Sequence, residues 1–266
     1  MATRTSKPLG VITRGTTHPN RLRRVDRWIN YVTAPDLRAT SDPLAVDLGY
    51  GASPWTARDL RDSLRKVRPD VRLVGVEIDP ERVASAQCAS DESLSFIRGG
   101  FEVPTPTSPL ILRAFNVLRQ YDESEVAAAW SVMTSRLAPD GWLIEGTCDE
   151  LGRHAWWVAL RAGDCEPRTL TFSTRLAGFD RPSELAERLP KALIHRNVPG
   201  EPIHEFLTRL DAAWAAAAPY SAFGARQRWI ATVESLRADG VPVQHGSSRW
   251  KLGELTLPWN VVASRN

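Results

Sequence analysis

Apolar and polar positions take turns along the first 150 residues in a way that predicts strands and helices in alternation. Leu44 to Leu48 is a short apolar run led in by Pro43, as a strand would be. Ser53-Pro54 then offers a helix cap with proline at the first helical position. Ala57, Leu60, Leu64 and Val67 follow at helical spacing. Residues 71–76 predict a second strand, and Asp79-Pro80 repeats the cap-and-proline signal before a helix through Val83 and Ala86. Residues 94–97 and 110–114 predict two more strands. Asp122 with Glu125 forms a capping-box pair ahead of a helical stripe at Val126, Trp130, Met133 and Leu137. Pro139-Asp140-Gly141 turns the chain into a strand over residues 142–147. Alternation of this kind predicts a parallel sheet with right-handed crossovers.

Beyond residue 150 the period changes. Residues 155–160 and 169–176 predict two strands, and residues 183–237 are mostly helical. Ile203, Phe206, Leu207, Leu210 and Trp214 share one face; Phe223, Trp229, Ile230 and Val233 suggest a second helix, stopped by Gly240. Leu252, Leu255 and Leu257 suggest a last strand, and the pattern leaves the order of the final strands open. Before the first strand, Arg14, Arg21, Arg23, Arg24 and Arg27 cluster ahead of Trp28. Asn20 is placed to cap a short helix there, read as a solvated basic face. Pro8 and Gly10 break any targeting helix in residues 1–14, which read as a mobile arm. The expected organisation is a basic arm and helix over residues 1–40. A domain over residues 41–266 follows, with a helical insertion at about 180–245.

Composition narrows the class. The chain has 266 residues, 42% hydrophobic and 24% charged, which is an ordinary globular balance. No apolar run approaches the length of a membrane span, so no membrane partner is expected. A net charge of +3 is too mild to imply nucleic acid by itself. Lysines are confined to Lys7, Lys66, Lys191 and Lys251, an arginine bias that reads as a GC-rich bacterial genome of the actinobacterial kind. Cys88, Cys148 and Cys165 are odd in number and scattered. They suit neither a disulfide framework nor a zinc site, and a cytoplasmic location is expected. Trp156 and Trp157 are adjacent in a predicted strand and would face opposite ways. One of them is expected exposed, at an interface such as that of a homodimer or in an acceptor pocket.

The candidate chemistry lies where the first strand ends. Asp47 precedes Gly49-Tyr50-Gly51, and glycines there let backbone approach a ligand with no Cβ in the way. About thirty residues on, the second strand ends in Glu77, a carboxylate able to take both hydroxyls of a ribose. After the third strand comes Gly99-Gly100-Phe101, where an aromatic can stack on a purine. A dinucleotide fold would need a third glycine where Pro54 stands, and no Gly-Lys-Ser/Thr follows to make a phosphate loop. A Gly turn with no ligand is the plain alternative.

These motifs resemble those of class I S-adenosylmethionine (SAM) methyltransferases over residues 44 to 150. They are Val46-Asp47-Leu48-Gly49-Tyr50-Gly51, Gly75-Val76-Glu77-Ile78-Asp79, Gly99-Gly100-Phe101-Glu102 and Arg113-Ala114-Phe115-Asn116-Val117-Leu118. The resemblance implies an α/β three-layer sandwich with a mostly parallel twisted sheet. It implies SAM as cofactor, with Asp47, Gly49, Tyr50, Gly51, Glu77, Ile78, Gly100, Phe101 and Asn116 at the cofactor site. Tyr50 between the glycines and Gly100 in place of an acid depart from the common pattern. Methyl transfer by in-line displacement asks mainly for alignment and exclusion of water. The segment after Asn116 is neither Asn-Pro-Pro-Tyr nor a Pro-Cys pair, which disfavours amide, adenine-N6 and cytosine-C5 acceptors. Cys148 reads as a buried structural thiol. Tyr121 and His154 are the weak catalytic candidates, each with a plainer structural reading. The expected acceptor is a small molecule. An RNA acceptor gripped by the N-terminal arginines is the second enzymatic reading, and a non-catalytic SAM-fold binding protein is a third of another class.

Overall fold

The computed structural model describes residues 7–264; the first six residues of the expected N-terminal arm lie outside the described residues. Eight strands form one sheet: β1 (Leu44–Leu48), β2 (Arg72–Glu77), β3 (Leu94–Arg98), β4 (Ile111–Phe115), β5 (Trp142–Cys148), β6 (His154–Arg161), β7 (Thr169–Thr174) and β8 (Glu254–Pro258). Their spatial order is β3-β2-β1-β4-β5-β6-β7-β8. The first five pair in parallel, and β6, β7 and β8 extend the sheet as an antiparallel meander. This settles the order that the sequence pattern leaves open. It also makes the fold the expected α/β sandwich, doubly wound in its first half. Order 3-2-1-4-5 puts a topological switch point between β1 and β4, where chains run off to opposite faces and leave a crevice.

The helices are α1 (Arg23–Ala39), α2 (Trp55–Leu64), α3 (Pro80–Ala86), α4 (Glu123–Thr134), α5 (Lys191–Ile194), α6 (Pro202–Ala216), α7 (Ala225–Ala238) and α8 (Ser247–Trp250). Local chemistry explains several boundaries. The Asp79 side chain accepts from the Glu81 N–H at the start of α3, and Asp122 with Glu125 closes a capping box on α4. The core is split by the sheet. Alternate strand residues Ala45, Leu73, Ile111 and Ile144 pack with α1, α2 and α3 on one face. Val46, Val74, Leu112 and Leu143 pack with α4, α6 and α7 on the other.

Two expectations need correcting. The basic helix before the first strand keeps its exposed face at Arg23 and Arg27, but it is not solvated throughout. Val25, Trp28, Ile29 and Leu37 of α1 are buried, with its arginines at the rim. Nor does Asn20 cap it, since α1 starts at Arg23 with no side-chain cap. Neither Trp156 nor Trp157 is exposed. Trp157 meets Trp28 of α1 edge-on at 5.5 Å, and Trp156 packs on Phe172 at 4.3 Å and donates to the Leu185 carbonyl. Both faces of β6 are covered, so adjacent tryptophans can both be interior. No described helix is long and apolar enough to cross a membrane.

Glu145 on β5 is buried on the α4 face with both carboxylate oxygens unpaired. Burial pushes its carboxyl up to about 8, against a weaker opposite pull from the Trp130 indole. A group raised in the folded state holds its stabilisation below its unfolded value and loses it as pH climbs through the folded one. The wild-type melting temperature should therefore fall as pH rises from about 4.5 to about 8, and Glu145→Gln should remove the share due to Glu145 while buried Asp26, raised to about 7, keeps the rest. Thermal melts of both proteins across that range check it.

Candidate active site

Asp47 leaves β1 already committed. Its carboxylate accepts from the Thr56 hydroxyl at 2.8 Å and from Arg113 Nε at 3.0 Å. Arg113, a fully buried cation in the middle of β4, also binds Asp26 of α1 and donates to the Thr56 carbonyl at 2.8 Å. Two carboxylates thus share one guanidinium. Burial first, and the neighbouring Asp47 charge among its other causes, push Asp26 up to about 7 against the pull of Arg113. Asp47 therefore orients the loop that follows it.

In that loop Gly49 and Gly51 have φ of 72° and 87°, a region side chains avoid. A Cβ on Gly49 would lie 2.7 Å from Val117 Cγ2, and one on Gly51 would lie 2.8 Å from the Gly15 carbonyl oxygen. Tyr50 between them is buried, edge-on to Phe96 at 5.1 Å, so it fills space under the loop. Glu77 closes the loop from the next strand. Its carboxylate accepts from Gly51 N–H at 3.1 Å and Ile78 N–H at 2.9 Å, with Arg82 at 3.7 Å.

A cavity of about 360 Å³ opens at the switch point. Asp47, Gly49, Tyr50, Gly51 and Asn116 line it, together with Arg14, Arg21, Arg119, Glu150 and Arg188. Asn116 takes φ 58°, tolerable for asparagine, and both ends of its amide hold Cys148: Oδ1 accepts from Cys148 N–H at 3.0 Å, and Nδ2 donates to Sγ at 3.3 Å. Cys148 is buried, and burial pushes its thiol up, as suits a structural group that borders the cavity.

The other predicted cofactor residues lie together in an adjoining groove. Glu77, Ile78, Gly100, Phe101 and Tyr121 line it, but only about 20 Å³ is left open. The chain's own residues 9–13 occupy the rest. Leu9 C=O accepts from Phe101 N–H at 2.9 Å, and Leu9 N–H donates to Glu102 at 2.8 Å. Val11 N–H donates to the Tyr121 hydroxyl at 2.5 Å, and Arg82 donates to the Thr13 carbonyl at 2.9 Å. Gly100 permits this, since a Cβ there would sit 1.9 Å from Leu9 O. The stretch read as a mobile arm is a seated strap over residues 9–15.

Tyr121 thus touches the strap and Phe101, and His154 does not line the cavity. His154 Nδ1 is 2.7 Å from the Thr174 hydroxyl, and burial holds the imidazole below its usual value. The residues that sequence reasoning missed are Thr13 of the strap, Thr16 and Thr17 just after it, and the cavity roles of Arg119 and Arg188; Arg14 and Arg21 belong to the N-terminal cluster that it offered as a second reading for gripping a substrate. One signal was available: Arg113 stands inside the apolar run Ile111-Leu112-Arg113-Ala114-Phe115, which demands a buried partner.

No protein-family model and no curated protein matches the sequence. Among solved structures the chain is similar to human N-acetylserotonin methyltransferase bound to SAM, at 21% identity over 50% of this chain and 40% of that one, TM-score 0.32. It is also similar to magnesium protoporphyrin IX methyltransferase of Synechocystis bound to S-adenosylhomocysteine (19%, 47% and 57%, TM-score 0.34). A third is plantazolicin methyltransferase bound to a triazolic analogue and S-adenosylhomocysteine (13%, 49% and 46%, TM-score 0.38). The chain spans less than two thirds of the length of each. Likeness of this degree carries no argument about what this chain does, and its fold is read from its own strand order.

Arg113→Met should cost about 3–5 kcal/mol by stranding Asp26 and Asp47 in the core. Gly49→Ala should cost about 1–3 kcal/mol through its positive φ and the approach of Val117. Urea denaturation of each variant measures both, and values near zero would contradict the geometry described.

Proposed function

We propose that this protein is a SAM-dependent methyltransferase whose cofactor lies across the β1/β4 switch point. The observation that carries the reading is convergence in one crevice: a turn with two Cβ-free positions after β1, a buried carboxylate ending β2, and an aromatic after β3. The methionine part fits the 360 Å³ cavity, a volume in the ordinary range for ligand sites. The adenosine part fits the groove of Glu77, Ile78, Gly100 and Phe101 once the strap leaves it. Phe101 N–H and the Glu102 carboxylate, which hold Leu9, are a donor and an acceptor suited to a purine edge. When bound, SAM supplies an electrophilic methyl whose sulfonium charge disperses in the transition state.

This chain's own work is then alignment. Asp47, fixed by Arg113 and Thr56, holds the Gly49–Gly51 turn against the cofactor. Glu77 takes the ribose hydroxyls, and Asn116 forms the wall facing the acceptor. Tyr121 and His154 stand away from the larger cavity, so the reading assigns neither as a base. It favours an acceptor that needs no assisted deprotonation. A small molecule suits a cavity of this size. The occupied adenosine groove also favours a second reading, a SAM-fold protein that does not turn over.

Calorimetric titration with SAM, S-adenosylhomocysteine and NAD separates these. The first two ligands should bind and NAD should not. Deletion of residues 1–13, which removes the strap and leaves the groove residues unchanged, should tighten S-adenosylhomocysteine by about tenfold, because the binding-competent fraction rises. Weaker binding in that variant would make the strap part of the cofactor site rather than its competitor. No binding of SAM or S-adenosylhomocysteine by either protein would leave the non-catalytic reading.

A further inference from the structure

The larger cavity carries more positive charge than its own acids can balance. Arg14, Arg21, Arg119 and Arg188 line it against Glu150, while Asp47 is already taken up by Arg113. Arg21 is buried to 9% exposure. Its Nε donates to the Asp149 carbonyl at 3.1 Å and its Nη1 to the Thr16 carbonyl. Among the described residues no carboxylate lies within 4.0 Å of the Arg21 guanidinium, which also acts on the neighbouring Cys148 thiol, drawing it down against burial. Arg119, at the exposed rim of the cavity, has no carboxylate within 4.0 Å among the described residues and donates to the Glu187 carbonyl at 3.1 Å, with the Glu187 and Glu150 carboxylates acting on it from further off. Arg188 is partly balanced, by Glu187 at 3.0 Å and Glu150 at 3.7 Å. Burial, then the like charge of Arg188, holds Arg119 below its ordinary value against the opposing pull of Glu187 and Glu150, with Arg14 adding a weaker repulsion.

A buried cation without a counter-charge is costly, and folds keep one mainly where a ligand supplies the partner. The cofactor does not supply enough. Its carboxylate and ammonium cancel, and the sulfonium leaves one net positive charge in the same cavity. We infer that the methyl acceptor is a small organic anion, carrying a carboxylate or a phosphate, held by Arg21 and Arg119 with Arg188 beside them. The inference rests on the methyltransferase reading for the word acceptor, and on the cavity alone for the anion. Arginine suits either acid group, because its planar fork meets two oxygens at once. A volume of about 360 Å³ suits one such molecule.

The test is calorimetry on the full chain with inorganic phosphate and, separately, succinate, each with and without saturating S-adenosylhomocysteine. One of the two anions should bind the wild type, and which one binds chooses between phosphate and carboxylate. Arg119→Gln, at an exposed position, should weaken that anion at least tenfold while S-adenosylhomocysteine binding is kept, and Arg119→Lys should restore part of the loss. Failure of both anions to bind, or equal binding by Arg119→Gln, would overturn the inference. If S-adenosylhomocysteine does not bind the wild type, the methyltransferase reading fails while the anion result still stands or falls on the Arg119 pair. A short single-stranded RNA that displaces phosphate with a steep salt dependence would overturn the small-molecule form and assign the arginines to a nucleic acid.

Discussion

One buried cation organises the site half of this protein. Arg113 sits at 0% exposure in the middle of β4, and it reaches Asp47 of β1, Asp26 of α1 and the Thr56 carbonyl of α2. A guanidinium inside a sheet is tolerable only if its charge and its donors are met, and here three separate elements meet them. The position of α1 against the sheet, the exit of the chain from β1 and the start of α2 are thereby fixed by a single side chain. With α1 placed, Arg21 just before it is brought to the cavity rim and Trp28 is seated on Trp157. The burden is shared unevenly: one carboxylate, Asp26, is pushed toward neutrality, so the triad sits close to a change of charge near neutral pH.

The switch point next to that triad is a crevice by topology, and the chain uses its two halves differently. The half lined by Gly49, Gly51 and Asn116 stays open, because the two glycines hold back side-chain bulk and Asn116 is tied to Cys148. The half lined by Glu77, Gly100 and Phe101 is filled by residues 9–13 through backbone groups. A strap held by main-chain hydrogen bonds has little sequence specificity of its own. Its seat is defined by the groove, by the absence of a side chain at Gly100 and by the Glu102 carboxylate. Leu9, Val11 and Ile12 remain half exposed on its outer side, so the strap leaves with little apolar burial to lose.

How much of this could be read from the sequence depended on whether the signal was local. Strand and helix limits in the first 150 residues were legible because caps, prolines and periodicity act within a few residues: Asp79-Pro80 and Asp122/Glu125 are such cases. The Gly turn and Glu77 were legible for the same reason. Glu77 shows where that legibility ended. Its place at the end of β2 was evident, but its use as an acceptor for the Gly51 and Ile78 amides required the loop from another strand. The strap was invisible because nothing local in residues 9–15 encodes a groove some 90 residues away. The two tryptophans of β6 were misjudged because alternation assigns faces but cannot say that both faces are covered.

The distribution of charge in the cavity links the fold to its chemistry. A sulfonium beside arginines is electrostatically unfavourable, since like charges in a partly buried site are weakly screened. An anionic ligand between them changes the sign of that balance for both. It neutralises the arginines that the fold has left without carboxylates, and it lowers the energy of a cationic cofactor held in the same space. Yet the sulfonium charge disperses as the methyl moves, so an anion held against it also stabilises the ground state more than the transition state. Arginines that keep the anion's charge to themselves remove that penalty, because the acid group then pairs with protein rather than with sulfur. On the proposed methyltransferase reading, the guanidinium cluster would have a role in rate as well as in recognition: it would separate the charge that binds the acceptor from the charge that must vanish at the cofactor.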